Sequence, residues 1–414
     1  MDLSWLALVL IAATGPTEAW PMPRWERAEP AALGLDRARL EQARDYALTG
    51  GGSGQIIRGG KLVLAWGDPH RRDDLKSSTK SIGVTALGLA LRDGKLQLED
   101  RALRHYPGLG VPPEENARTG WLDRITIRQL AMQTAGFEKP GGFGRLLFRP
   151  GTRWRYSDGG PKWLADCLTR AYGRDLDGLL SERVFAPLGI TPEDLVWRRN
   201  SYRPQTLHGV ERREIGSGIS ADVDAMARIG LLYLRGGRWQ DRAILPRDFV
   251  DAARTAVPGV VGLPEHDAAG HGNASDHYGL LWWNNADGTL PDVPRDASWA
   301  WGLYDSLIVV IPGLDLVVAR AGSAWERDAG AGHYDVLRPF LGPIDAAVRT
   351  ASALREQPDR NQRSSTSVGP GDASAVAPCD NAGQLRRERA GLRGPSPGAG
   401  RPADAAGRSP HGRR

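Results

Sequence analysis

Strand signals lie near both ends of this chain and are nearly missing from its middle, which limits the folds open to it. Residues 55–66 read as two strands with Gly59-Gly60 as the turn. Strand signals return only at 278–283, 299–302, 306–311 and 314–319, which are apolar or β-branched. Helical patterns fill the space between, at 127–133, 161–172, 176–185 and 221–234, separated by loops rich in Gly and Pro. An amphipathic helix at 35–48 precedes the first strands, and another at 337–348 follows the last. The simplest architecture is α/β of the α+β kind. One antiparallel sheet is built from both chain ends and covered by the terminal helices, with an all-helical insert at roughly 95–270. No internal repeat is present.

The chain has 414 residues, enough for a sizeable core. Lys plus Arg number 54 and Asp plus Glu 49, a net charge of +5 that is too slight to argue for nucleic-acid binding. Much of that excess lies from residue 356 onward, where Pro, Gly, Ala, Ser and Arg dominate and large apolar residues nearly vanish. Such a segment cannot bury enough surface to offset its conformational entropy, so 356–414 is expected to be a disordered tail. The shift is abrupt enough to match a change of reading frame in a GC-rich gene. At the other end, the apolar run 3–13 is short for a membrane span but suits a signal peptide ending near Ala19. Export to the periplasm or medium is the expectation, and because basic residues are missing before the run a cytoplasmic location is left open. No stable membrane span is expected after its removal. Cys167 and Cys379 are the only cysteines, and a structural disulfide between them is not expected.

The chemistry concentrates at Ser77-Ser78-Thr79-Lys80. Residues three apart share a helix face, so a helix starting here sets Lys80 over Ser77. A hydroxyl is a poor nucleophile until a neighbour takes its proton. No other lysine in the chain follows a serine at this spacing. The stretch after it, Ile82, Val84, Leu87, Leu89 and Leu91 up to Asp93-Gly94, predicts a buried helix whose positive end lies behind Ser77. The plainer reading is a serine N-cap.

A second constellation is Pro150-Gly151-Thr152-Arg153-Trp154-Arg155-Tyr156-Ser157-Asp158-Gly159-Gly160. A phenol, with a reference pKa of about 10, acts as a base at neutral pH only beside a cation, which Lys80 could supply. The alternative makes Tyr156 an ordinary half-buried aromatic and Asp158 a cap for the following helix.

Taken together, these pieces resemble the serine β-lactamase and penicillin-binding-protein superfamily, nearest the branch of class C β-lactamases, family VIII esterases and 6-aminohexanoate-dimer hydrolases. The resemblance covers residues 35–350. It rests on Ser77-x-x-Lys80 after a hairpin, on Gln133-Thr134-Ala135-Gly136-Phe137, on Pro150-Gly151 before Tyr156-Ser157-Asp158, and on Ser217-Gly218-Ile219 ahead of Asp224 and Arg228. It implies Ser77 as nucleophile, Lys80 as the partner that carries or shuttles its proton, and Tyr156 as general base. Ser157-Asp158-Gly159 could instead match the Ser-Asp-Asn motif of class A enzymes. Asp158 stands where the family often has Asn, and an ionised Asp cannot donate to a substrate carbonyl. Asp158 is therefore read as a substrate-binding residue for an amine or hydroxyl.

The family's third motif, Lys-Thr-Gly or a variant, corresponds to Ser298-Trp299-Ala300-Trp301-Gly302, which has no cation. The resemblance implies an oxyanion hole from the N–H of Ser77 and that of Ala300 or Trp301. It also implies a pocket walled by Trp283, Trp299, Trp301 and Gly302. Without the lysine that usually pairs with a β-lactam carboxylate, a small ester or amide is the expected substrate. A cell-wall D-Ala-type peptidase or weak β-lactamase is the alternative, and a non-catalytic penicillin-binding-like sensor is an alternative of another class. No metal or organic cofactor is implied. His266, His271 and His277 fit no common zinc spacing. Asp224 and Arg228 read as a structural ion pair, Arg198-Arg199 and Arg212-Arg213 as solvated surface. Gly51-Gly52-Ser53-Gly54 lacks the lysine of a phosphate loop.

Overall fold

The computed structural model describes residues 18–139 and 141–356. Most of the expected leader, and the tail with Cys379, lie outside the described residues. Six strands form one antiparallel sheet: β1 (Ser53–Arg58), β2 (Lys61–Trp66), β3 (Trp283–Asn284), β4 (Ser298–Trp301), β5 (Leu307–Ile311) and β6 (Leu316–Ala321). Their spatial order is β3-β4-β5-β6-β1-β2, so the two ends of the chain meet where β1 pairs with β6. The hairpin turn works because Gly59 and Gly60 both adopt positive φ, 60° and 75°, which matches the twist of the flanking strands. Gly54 is needed for a different reason. The Trp66 ring lies flat on it, and a Cβ there would sit 2.1 Å from that ring.

Two helices, α1 (Arg37–Thr49) and α6 (Arg338–Glu356), pack on each other over the sheet. Asp36 caps the first of them by accepting from the Ala38 N–H. α2 (Ser78–Gly83) and α3 (Thr85–Arg92) follow the hairpin, and every residue from Ser78 to Ala90 is buried. The predicted stop at Asp93-Gly94 is present, with Gly94 at φ 64°. α4 (Gly159–Tyr172) runs through the helical region, and α5 (Val223–Leu234) is apolar around most of its circumference.

The structure departs from the sequence reading in three places. First, α5 does not belong to a helical insert: it packs against β5, β6 and β1, close enough that a Cβ on Gly230 would meet Val317 at 2.5 Å. Second, residues 278–283 are not a strand. Leu281 takes φ 58° and the Gly279 N–H donates to the Trp282 carbonyl, so the chain turns and only Trp283–Asn284 joins the sheet. Third, the middle of the chain contains a small sheet of Asp73–Asp74, Ile219–Ala221 and Leu195–Trp197, which ties the segment before Ser77 to the helical region. Its members are two or three residues long, too short for a period to be read. Among the described residues no helix is long and apolar enough to cross a membrane.

Candidate active site

Ser77 is the residue from which α2 starts. The approach to it is strained: Lys76 sits at φ 49°, a left-handed conformation uncommon for a side chain of its size. Asp74 holds it there, accepting from the Lys76 N–H at 3.0 Å and from its Nζ at 2.6 Å. α2 is fastened from below. Ser78 Oγ donates to the Ser306 carbonyl at 2.8 Å and Ser81 Oγ to the Leu281 carbonyl at 2.6 Å.

One turn on, Lys80 Nζ lies 3.1 Å from Ser77 Oγ. It also donates to Asp158 Oδ1 at 2.6 Å and to the Gly216 carbonyl at 2.8 Å. An ammonium has three N–H donors, and these acceptors use them all. Burial alone would lower its pKa from the usual 10.5, but the Asp158 carboxylate and the Tyr156 oxygen outweigh that and raise it. Lys80 is therefore a buried ammonium. Asp158, read from the sequence as a substrate-binding residue, gives Oδ1 to this ion pair and also lines the cavity beside Ser77. Its side chain makes no capping bond to α4.

Tyr156 stands beside this group. Lys80 Nζ and Lys139 Nζ each lie 4.9 Å from its ring centroid. Its ring stacks on Trp283 at 5.6 Å and on His271 at 5.1 Å, and Trp301 meets His333 at 4.8 Å. Burial, and then the charge of His333, holds His271 down to about 3, and burial with the Arg327 guanidinium holds His333 to about 4, so both are neutral aromatic wall. Ser157, the rival proton acceptor, is buried. Its N–H and Oγ both bond Gln133 Oε1, at 3.0 and 3.3 Å, so its hydroxyl is tied to the scaffold.

These groups line one open cavity of about 770 Å³, whose walls include Ser77, Lys139, Tyr156, Trp283, Trp301 and Gly302. Trp299, expected in this wall, is fully buried and does not line it. Trp299 and Trp301 share a sheet face, but β3 pairs with the first, at Trp283, and ends before the second. Ladder alternation also separates the two oxyanion candidates. The Gly302 N–H donates to the Ser306 carbonyl, so Ala300 in the same phase points toward β5. The Trp301 N–H points the other way, past the end of β3.

Sequence reasoning missed Lys139, His271 and His333, because only folding brings their loops to Tyr156. It also misjudged Arg212, which is buried and bonds Asp166 at 2.8 Å together with Arg203 at 3.0 Å. Arg198 lines the cavity and meets Glu214 at 2.5 Å. Asp224 and Arg228 form the expected pair at 2.7 Å. His266, His271 and His277 do not converge: His266 lies tilted against Phe148, and His277 is buried against Asp287.

The family model described as Beta-lactamase matches residues 38–336. A D-aminopeptidase of Brucella ovis is 27% identical over 327 residues, covering 66% of this chain and 62% of that relative. The chain thus spans less than two thirds of the length of the curated relatives it matches. Among solved structures, a Bacillus anthracis protein provisionally described as a 6-aminohexanoate-dimer hydrolase superposes with a TM-score of 0.59 at 15% identity, over 82% of this chain and 91% of that one. A mutant of simvastatin synthase from Aspergillus terreus superposes with a TM-score of 0.57 at 18% identity, over 78% and 100%. At such identities these two superpositions show a shared fold.

Proposed function

The chain belongs to the beta-lactamase family and is a serine hydrolase of that fold, and on that premise we propose that it hydrolyses a small ester or amide through an acyl-enzyme on Ser77. One observation carries the reading: a hydroxyl at a strained turn, 3.1 Å from a buried ammonium, at the wall of an open aromatic cavity. Ser77 Oγ attacks the carbonyl carbon while its proton passes to the Tyr156 oxygen. Lys80 has no lone pair to offer while it is charged. It steadies the negative charge that moves between Ser77 and Tyr156, and Asp158 keeps it charged. The N–H groups of Ser77 and Trp301 receive the oxyanion. Tyr156 returns the proton to the leaving alkoxide or amine, and then takes one from the water that releases the acyl group.

The charges of the cleft narrow the substrate. Lys76 is paired with Asp74 at 2.6 Å, Lys80 with Asp158 at 2.6 Å, Arg198 with Glu214 at 2.5 Å and Arg327 with Asp305 at 2.7 Å. Lys139 has no carboxylate partner among the described residues. A substrate carboxylate would be accommodated there, which revises the expectation drawn from the missing third-motif lysine: the cleft has a cation, from another loop. A substrate ammonium finds both nearby acids, Asp74 and Asp158, already paired. This favours a neutral or anionic ester or amide over an N-terminal D-amino acid. The test is kcat/KM for a p-nitrophenyl monoester of a short dicarboxylic acid, its neutral analogue, D-alanine p-nitroanilide and a chromogenic cephalosporin. The esters are expected to lead. A lead for the D-alanine anilide would make a D-aminopeptidase the better reading.

A further inference from the structure

Away from the cleft, His70, Asp194 and Asp222 bring three ligand atoms within 4.8 Å of one another, where the link from β2 crosses the small three-stranded sheet. Asp222 is fully buried at the head of α5, where one carboxylate oxygen accepts the Ala225 N–H at 2.8 Å. Its other oxygen, Oδ2, is buried with no hydrogen-bond partner. An ionised oxygen buried in this state costs several kcal/mol unless a cation meets it. The group aimed at it is the exposed His70 ring, whose Nδ1 lies 3.6 Å away, too far for a hydrogen bond. Asp194 fixes the third side. Its Oδ2 accepts from the Thr191 N–H and hydroxyl at 2.8 and 2.9 Å, and its carbonyl accepts from the Asp222 N–H at 3.0 Å. Two acids are thus anchored by backbone bonds, and an exposed imidazole faces them.

We propose that His70, Asp194 and Asp222 bind a divalent transition-metal ion of the zinc class. One imidazole nitrogen with two carboxylates is a zinc donor set, with the open side left for water. Calcium and magnesium prefer all-oxygen shells and are disfavoured by the imidazole. Ligand atoms around one such ion lie roughly 3–4 Å apart, given metal–ligand bonds of about 2.0–2.2 Å. The separations here, all within 4.8 Å, are a little wider, so the side chains would draw together around the ion. The bound ion would join the link before Ser77 to the start of α5, and it takes no part in the reaction proposed above.

The experiment is calorimetric titration of chelator-treated full-length protein with Zn²⁺, with Mg²⁺ as control, on wild type, Asp222→Asn and His70→Ala. Asn is as good an N-cap as Asp, so Asp222→Asn keeps the helix start, and His70 is exposed, so His70→Ala leaves the core intact. Wild type should bind one Zn²⁺ that His70→Ala weakens at least tenfold and Asp222→Asn abolishes, with the unfolding midpoint rising on Zn²⁺ addition in wild type and staying unchanged in Asp222→Asn. No such saturable site in wild type, or the same site unchanged in both variants, overturns the proposal, as does equal binding of Mg²⁺.

Discussion

Lys80 Nζ and Asp158 Oδ1 lie 2.6 Å apart, with the lysine side chain 1% exposed and the aspartate 26%. That pair fixes the protonation state of the proposed site. A lysine so deeply buried would shed its proton without a counter-ion, and Asp158 keeps it positive.

Asp158→Asn should therefore destabilise the fold by about 2–3 kcal/mol at pH 7, below the usual cost of breaking a fully buried pair because the aspartate is partly exposed. The pH dependence has a definite sign. The Lys80 pKa is raised in the folded state, so the pair's contribution is fully present below the unfolded value near 10.5 and is lost as pH rises through the folded value. Urea unfolding of both proteins from pH 6 to 11 should show wild type keeping this contribution up to about 10.5, while the gap to Asp158→Asn already narrows below that value, because the variant's uncompensated Lys80 gives up its proton in the folded state. Equal stability at pH 7 would mean that the pair does not hold the lysine.

Tyr156→Phe keeps the stack on Trp283 and His271 and removes the proton carrier. Turnover should fall about 10²- to 10⁴-fold, with the melting temperature nearly unchanged. Activity within a fewfold of wild type would shift the role of base to another group.

Much of the site was legible before folding because its parts are local. The three-residue spacing of Ser77 and Lys80, the glycine pair of the hairpin and the apolar run after Ser77 each obey a rule that acts over one turn or one strand. The Asp224–Arg228 pair is legible for the same reason. What escaped depends on distant partners. Asp158 is 78 residues from Lys80, and Arg212 is 46 from Asp166. No period in the sequence reports such a contact, so the Lys80–Asp158 pair goes unread and Arg212 reads as surface. Trp299 was misplaced because alternation gives its face and does not say where the neighbouring strand ends.

Gly302→Ala probes the close approach of β4 to the nucleophile's segment. A Cβ at Gly302 would lie 2.1 Å from the Leu75 carbonyl oxygen and 2.4 Å from Ser306 Oγ. Leu75 must move, and it stands two residues before Ser77. The expected cost is about 1–3 kcal/mol of stability, and kcat should fall at least tenfold in protein that circular dichroism shows to be folded. Unchanged kcat would show that the segment tolerates displacement.

Lys139→Met should raise KM for a carboxylate-bearing ester about 2- to 5-fold, the range of a solvent-exposed ion pair, and leave KM for its neutral analogue unchanged. Equal effects on both esters would make Lys139 a general support of the cleft.

Formation of the acyl-enzyme on Ser77 is read out by intact-mass analysis and peptide mapping after a fluorophosphonate or slow ester. One adduct per chain is expected, on Ser77, which disappears in Ser77→Ala along with turnover while the melting temperature is kept. An adduct on Ser78 or Ser157, or hydrolysis that persists in Ser77→Ala, would contradict it.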